Sequence, residues 1–335
     1  MLRVSLRVSW LRALRRLRCW VAQLTTRLGL HVRRLQSRSL PIVLLTREEH
    51  ADGSWLTDLH VALESRGAVV RVITLAEFTG VGQWRCLVNR VSDAAPPADV
   101  KVALAALRAC ELHRVPVING TSAYALGTSK MLHYELFTRA RLVTPPYVVV
   151  RRSDVSALVQ LATEAKLRYP LLLKPNSAGF GDGIVRIESA DELRALGDAC
   201  IERAFSGDGI ALLQEYVAPA GGRTFRVWFV DGRVHCAVSV QPQSFSFNAC
   251  VRAVPNQPWD VPPAIAAMVV KLAALAQADC GSVEFLFGRH EGAAAAEQGP
   301  TPSPPPPLFF DFNLLSTLPS AAQYAGLAAA IEGKC

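Results

Sequence analysis

At 335 residues, half of them hydrophobic, the chain can bury a large core and divide into two or three lobes, as a globular protein does. A formal charge of +8 and a pI near 9.3 would ordinarily point to nucleic acid or an anionic surface. Residues 1–47 alone carry eleven arginines, no lysine and no acid, which leaves about −3 for everything after them and removes the support for a nucleic-acid-binding body.

The leader, residues 1–39, spaces Leu2, Leu6, Trp10, Leu14, Leu17 and Val21 against Arg3, Arg7, Arg12, Arg15, Arg16 and Arg18, a helical pattern with an apolar and a cationic face. Such a segment suits a mitochondrial presequence, attachment to a membrane surface, a basic tail, or a start codon assigned upstream of the true domain. No stretch reaches the roughly 18 uninterrupted apolar residues of a transmembrane helix. Val261 to Ala276 carries Lys271 and helix-like spacing, so the body is expected to be soluble. The eight cysteines are scattered without a Cys-x-x-Cys or a Cys/His cluster, so neither a disulfide framework nor a zinc site is expected and a reducing compartment fits.

Pro41 to Thr46 is a short apolar run of the kind buried in a parallel sheet, and 54–67 reads as a helix ending at a glycine. Val69 to Thr74, Trp84 to Arg90 and Pro116 to Asn119 read as further strands, with a helix over 99–114. This strand–helix alternation predicts a small parallel α/β lobe over 40–125. Residues 126–335 form the larger unit, divided at 210. Lys130 starts a helix, where a lysine opposes the helix dipole unless something else holds it. Strands are expected at 144–150, 169–175, 184–187 and 211–217, with helices at 154–166 and 191–204 between them. A hairpin turns at Asp231-Gly232 between strands 221–230 and 234–240. Gly281 to Phe287 and Leu308 to Asn313 read as neighbouring strands. The Ala-, Glu-, Gly- and Pro-rich stretch 289–307 between them is an expected surface insertion.

Several pieces carry chemistry together. An apolar strand ends in Lys174, and the loop behind it holds Ser177, Gly179, Gly181 and Gly183, whose backbone N–H groups can approach phosphate oxygens. Glu284, Asp311 and Asn313 offer hard oxygen ligands suited to Mg²⁺, and alternation puts Asp311 and Asn313 on one face. Two acids on adjacent strands repel unless a cation sits between them.

In this order and with these intervals the pieces resemble the ATP-grasp superfamily, most closely its glutathione-synthetase/RimK-type carboxylate–amine ligases, over roughly residues 40–330. The resemblance implies an α/β (α+β) ATP-grasp fold with an N-terminal pre-ATP-grasp lobe, and ATP with Mg²⁺ or Mn²⁺ as cofactors. Lys130 and Lys174 would hold phosphates, and Gly179 to Gly183 would cover them. Gln214, Glu215, Tyr216 and Val217 would border the adenine, chiefly through backbone atoms. Asn89-Arg-Val91 and Val117-Ile-Asn-Gly120 resemble stretches of the first lobe. They make Arg90 a candidate for a substrate carboxylate, a surface or inter-lobe salt bridge being the alternative. Partners would be small-molecule or peptide carboxylates and amines, with homo-oligomer formation left open.

The chain also departs from that pattern. An arginine expected just before Asn248 is replaced by Ser246, another is absent near Val240-Gln241, and the ribose acid is not evident in 218–222. Arg226 or Arg252 could compensate, with Arg226 then catalytic and Asn248 and Arg252 near substrate. The readings are therefore an ATP-dependent carboxylate–amine ligase, a small-molecule kinase of the same fold, or a degenerate nucleotide-binding or scaffold protein.

Overall fold

The computed structural model describes residues 39–50, 53–92, 95–179, 181–241, 256–289, 305–315 and 317–335. The leader, most of the expected insertion, and the stretch holding Ser246, Asn248 and Arg252 lie outside them.

Strands β1 (Ile42–Thr46), β2 (Val70–Thr74), β3 (Cys86–Asn89) and β4 (Val117–Ile118) form a parallel sheet in the order β2-β1-β3-β4. All five residues of β1 are buried, because helices cover both faces. Helix α1 (Ser54–Glu64) packs Leu56, Leu59 and Leu63 on Ile42 and Leu44, while α2 (Pro97–Leu112) packs Ala103, Leu107 and Cys110 on Val43 and Leu45. The winding therefore reverses between β1 and β3, which leaves a crevice beyond their carboxyl ends.

Two short helices, α3 (Thr121–Gly127) and α4 (Lys130–Arg139), lead into the larger unit. Its first sheet is antiparallel, with β5 (Tyr147–Arg151), β6 (Leu171–Pro175), β7 (Val185–Ile187) and β8 (Ile210–Glu215) in the order β5-β8-β6-β7. Helices α5 (Leu158–Glu164), α6 (Ala190–Arg194) and α7 (Asp198–Ala204) cover one face of it. The helix expected over 154–166 begins as a 3₁₀ turn over Arg152–Ala157. The one expected over 191–204 is split, with Gly197 as the extended N-cap of its second half.

The second antiparallel sheet runs β11 (Gln257–Pro258), β10 (Arg233–Val240), β9 (Ala218–Val230), β12 (Cys280–Arg289), β13 (Pro307–Asn313). Helix α8 (Pro263–Ala276) fills one face with Val227, Phe229, Val283, Phe285, Phe309 and Phe312. Asn119, just past β4, ties the two units together. Its Nδ2 donates to the carbonyls of Cys280 (2.9 Å) and Leu314 (3.2 Å), and its Oδ1 accepts from the N–H groups of Asp279 (2.8 Å) and Cys280 (3.2 Å). Among the described residues no helix is long and apolar enough to cross a membrane.

The final helix, α9 (Tyr324–Lys334), has no counterpart among the expected elements. It returns to the first lobe, where Tyr324, Leu327, Ala328 and Ile331 share a core with α1 and β1. There Cys335 forms a disulfide with Cys86 of β3, across 249 residues and a Cα–Cα distance of 5.7 Å. This corrects the expectation of no disulfide framework at one pair, which is invisible in the spacing because only the fold brings its members together. Closing so long a loop restricts the unfolded chain, so Cys335→Ala is expected to lower stability by about 2–5 kcal/mol. Reductant should lower the denaturation midpoint of the wild type by a matching amount and leave that of the variant unmoved; a wild type indifferent to reductant would sink the pairing.

Candidate active site

A cleft lies where the two antiparallel sheets meet below α4. Lys130, Lys174, Arg226, Glu284, Asp311 and Asn313 all line it, with Gly179, Gly181, His133 and Phe310. Strand parity sets these directions. On β6, Leu171 and Leu173 enter the helix-covered core, so Lys174 between Leu173 and Pro175 faces the cleft. On the other sheet Arg226, Glu284 and Asp311 are lateral partners on β9, β12 and β13, forming one charged row, and Asn313 follows opposite Ser282. A bulge interrupts the register between Glu284 and Phe285, opposite Phe310. It lets consecutive Phe310 and Asp311 both face the cleft while Phe309 and Phe312 stay in the α8 core.

The row carries its own counter-charges. Arg226 forms an ion pair with Glu284, and His133 Nδ1 lies 3.2 Å from Asp311 Oδ1. The expected repulsion between the two acids is thus relieved by Arg226, which pairs with Glu284 and also draws the Asp311 carboxyl down, so it does not by itself demand a metal. Burial alone would push the Asp311 carboxyl up, but His133, with Lys130 and Arg226 beyond it, holds it well below the usual carboxylate range. His133 is buried and donates from Nε2 to the Gly127 carbonyl (3.1 Å), which fixes its ring against the row. No motif in the sequence singles it out, although it lies three residues after Lys130 and therefore on the same helical side.

Lys174 is buried and donates to Gln214 Oε1 (2.9 Å), which the Tyr134 hydroxyl also reaches. Burial, reinforced by nearby Lys130, lowers its pKa to about 7. Lys130 is held as its position required. Its N–H donates to the Asn176 carbonyl (3.1 Å) and its ammonium to that of Ala178, at the start of the glycine loop. Asn176 returns the contact, accepting at Oδ1 from Met131 N–H (2.8 Å) and the Ser129 hydroxyl (3.1 Å). In the loop itself Gly181 has φ +75°, a left-handed conformation that glycine adopts without cost to a side chain.

Other candidates sit elsewhere. Ser177 donates its hydroxyl to Asp208 (2.7 Å) and does not line the cleft. Gly183 packs against Pro175 and the Arg203 carbonyl, where a Cβ would collide. Glu215 turns its buried carboxylate to Arg168 (3.1 Å), Tyr216 lies beneath the Arg186 guanidinium (4.2 Å), and Val217 packs with Leu286, Leu308 and Phe310. With Gln214 engaged by Lys174, none of these four forms the cleft wall. Arg90 is buried in the first lobe, away from that wall, and among the described residues it makes no salt bridge.

No group of three or more His, Cys, Asp and Glu able to hold a metal occurs among the described residues. Two carboxylates and one amide oxygen do match Mg²⁺, which binds through one or two carboxylates and completes its shell with phosphates and water. The fold agrees with that of known proteins. A structure of an ATP-grasp RimK domain protein from Sphaerobacter thermophilus matches with a TM-score of 0.62 at 15% identity, over 86% of this chain and 98% of the other. The ATP-grasp ligase PsnB, complexed with a phosphomimetic variant of its minimal precursor, Mg and ADP, matches with a TM-score of 0.62 at 15% identity, over 88% and 99%. At such identities these likenesses show the fold. In sequence, a D-alanine–D-alanine ligase of Geobacter sulfurreducens is 29% identical over 142 residues, so the match spans only 42% of either protein. The RimK-like ATP-grasp domain family matches residues 127–298, which hold both lysines, Arg226 and Glu284. The chain belongs to the RimK-like ATP-grasp family.

Proposed function

We propose that the protein is an ATP-dependent ligase that joins a carboxylate to an amine. The observation that carries this reading is the convergence of Lys130, Lys174 and Arg226 with Glu284, Asp311 and Asn313 in one cleft beside a glycine loop. Three cations suit a polyphosphate, and three oxygen donors suit the Mg²⁺ that accompanies it. The ligase activity of the Geobacter relative and the Mg and ADP bound to PsnB support it.

In the proposed reaction a carboxylate oxygen attacks the γ-phosphorus of ATP and ADP leaves. The amine then attacks the acyl carbon of the resulting acylphosphate, losing a proton as phosphate departs, so no protein nucleophile is required. Lys130 and Lys174 hold the phosphate oxygens, and Arg226, in the cleft where the expected arginines are missing, meets charge that develops on the transferring group. Glu284, Asp311 and Asn313 would hold Mg²⁺, which neutralises phosphate charge when bound. The glycine loop excludes water as it closes.

The test is phosphate release from ATP·Mg²⁺ with a panel of amino acids as both acid and amine, with products identified by mass. Free phosphate together with an amide product is expected. Phosphate retained on the product would make the protein a kinase of this fold, and no nucleotide binding at millimolar ATP would leave the scaffold reading.

A further inference from the structure

Asn176 carries no step of the proposed reaction, yet it is buried just past the end of β6, two residues beyond Lys174. Toward α4 it serves the first turn of that helix. Its carbonyl accepts from the N–H of Lys130 (3.1 Å) and its Oδ1 from the N–H of Met131 (2.8 Å). Ser129 covers the next two, its hydroxyl oxygen accepting from Leu132 N–H (3.4 Å) and its carbonyl from His133 N–H (3.0 Å). All four N–H groups that a helix leaves open at its start therefore have protein acceptors, and two of those acceptors belong to one residue of another segment. A phosphate in the cleft thus meets α4 through the Lys130 side chain and not through the helix terminus.

Toward β8, Asn176 donates Nδ2 to Asp208 Oδ2 (2.5 Å) and its backbone N–H to the Ile210 carbonyl (3.0 Å). Asp208 sits in an exposed turn between Gly207 (φ +93°) and Gly209 (φ +74°), where its Oδ1 accepts from Ile210 N–H (3.1 Å). The partners fix which way the amide points. Met131 N–H only donates, so the atom beside it is the oxygen, and a carboxylate oxygen of Asp208 accepts, so the atom beside it is the nitrogen. The Ser129 hydroxyl, donating to Oδ1 at 3.1 Å, takes the second lone pair. Neither an aspartate nor a flipped amide satisfies both ends.

Lys130 and Lys174 are joined through this one residue, Lys130 by a backbone hydrogen bond and Lys174 by its place two residues earlier in the chain. Their spacing is set before the glycine loop begins. Resting on the ligase reading, we propose that Asn176 is a positioning residue for the nucleotide: by fixing the first turn of α4 to the end of β6 it holds Lys130 and Lys174 at the separation a polyphosphate spans. Asp208 acts through it, by fixing the amide. Chemistry that depends on the placement of charge is sensitive to such support, since a displacement of about 1 Å can cost about 100-fold.

The experiment measures ATP·Mg²⁺ and ADP·Mg²⁺ binding by calorimetry, and phosphate release, for wild type, Asn176→Asp, Asp208→Asn and the exchanged pair that carries both substitutions. Asn176→Asp sets two carboxylates against each other and is expected to weaken nucleotide binding about 50-fold, with Asp208→Asn costing about fivefold. The exchanged pair has the net charge of wild type and the same bond with donor and acceptor reversed, so it should return to within about fivefold of wild type. A second cycle adds Lys130→Met to each protein. Because Asn176 acts through Lys130, that substitution should cost about 30-fold in wild type but less than about threefold in Asn176→Asp. The KM for ATP should rise in step with the binding loss while the KM for the amine stays within about twofold. An exchanged pair as weak as Asn176→Asp overturns the proposal, as does a Lys130→Met cost that is equal in both backgrounds, or a wild type that binds neither nucleotide. A wild type that binds ADP·Mg²⁺ yet forms no amide fails the ligase reading alone, and the binding comparison still decides the role of Asn176. Should Asn176→Asp not fold, Asp208→Asn in its exposed turn takes its place: its cost must vanish when Lys130→Met is present, and persistence there overturns the proposal.

Discussion

Lys174→Met is expected to weaken ATP·Mg²⁺ binding about 100-fold, since it removes a buried cation whose bonds to phosphate oxygens are charge-assisted and shielded from water. The loss should carry a proton signature. In the free protein Lys174 titrates near 7 because of burial and its neighbour Lys130. A bound phosphate favours the ammonium and raises that pKa, so above pH 7 binding must take up a proton and affinity must fall as pH rises. Calorimetry at pH 8 in buffers of different ionisation enthalpy should show this uptake in wild type and its absence in Lys174→Met. Equal uptake by both proteins would assign the proton elsewhere. The free protein should show the linked effect on folding. A lysine whose folded pKa lies below its ordinary 10.5 binds fewer protons than it does unfolded, so stability should increase as pH rises from about 7 to 10.5.

Asp311→Asn is expected to reduce phosphate release about 1000-fold at saturating ATP while leaving metal-free nucleotide binding within about threefold. The asparagine keeps the shape and one oxygen donor but removes the charge that would hold Mg²⁺. It also leaves His133 without its carboxylate, so a paired control is needed. His133→Gln removes the ring that orients Asp311 and should shift the Mg²⁺ requirement by only about tenfold. The decisive readout is direct: Mn²⁺ bound to the protein–ADP complex, followed by water proton relaxation, should vanish in Asp311→Asn. Unchanged Mn²⁺ affinity in that variant would remove Asp311 from the metal set.

Much of this architecture is legible in the residues because it is written in short periods. Apolar runs such as 42–46 and 171–175 disclose strands, and Lys174 is exposed by ending one of them. Alternation in Asp311-Phe312-Asn313 places two donors on one face without any knowledge of neighbours. What stayed hidden depends on distant partners. The Cys86–Cys335 pair, the return of α9 to the first lobe, and the His133–Asp311 contact each join segments separated by more than a hundred residues, which no local period records. The side chains of Ser177 and Glu215 show a second thing the sequence does not record. Asp208 and Arg168 engage them, which leaves the backbone atoms of 214–217 as the part expected to border a nucleotide.

The grip of Lys130 on the Ala178 carbonyl gives the glycine loop a latch as well as a hinge. One ammonium cannot donate along the same direction to a backbone oxygen and to a phosphate, so the cation that tethers the loop becomes available to nucleotide as the tether is released. Loop position and ligand charge are thereby read by a single side chain, and shortening or neutralising it would free the loop's motion from the arrival of the nucleotide.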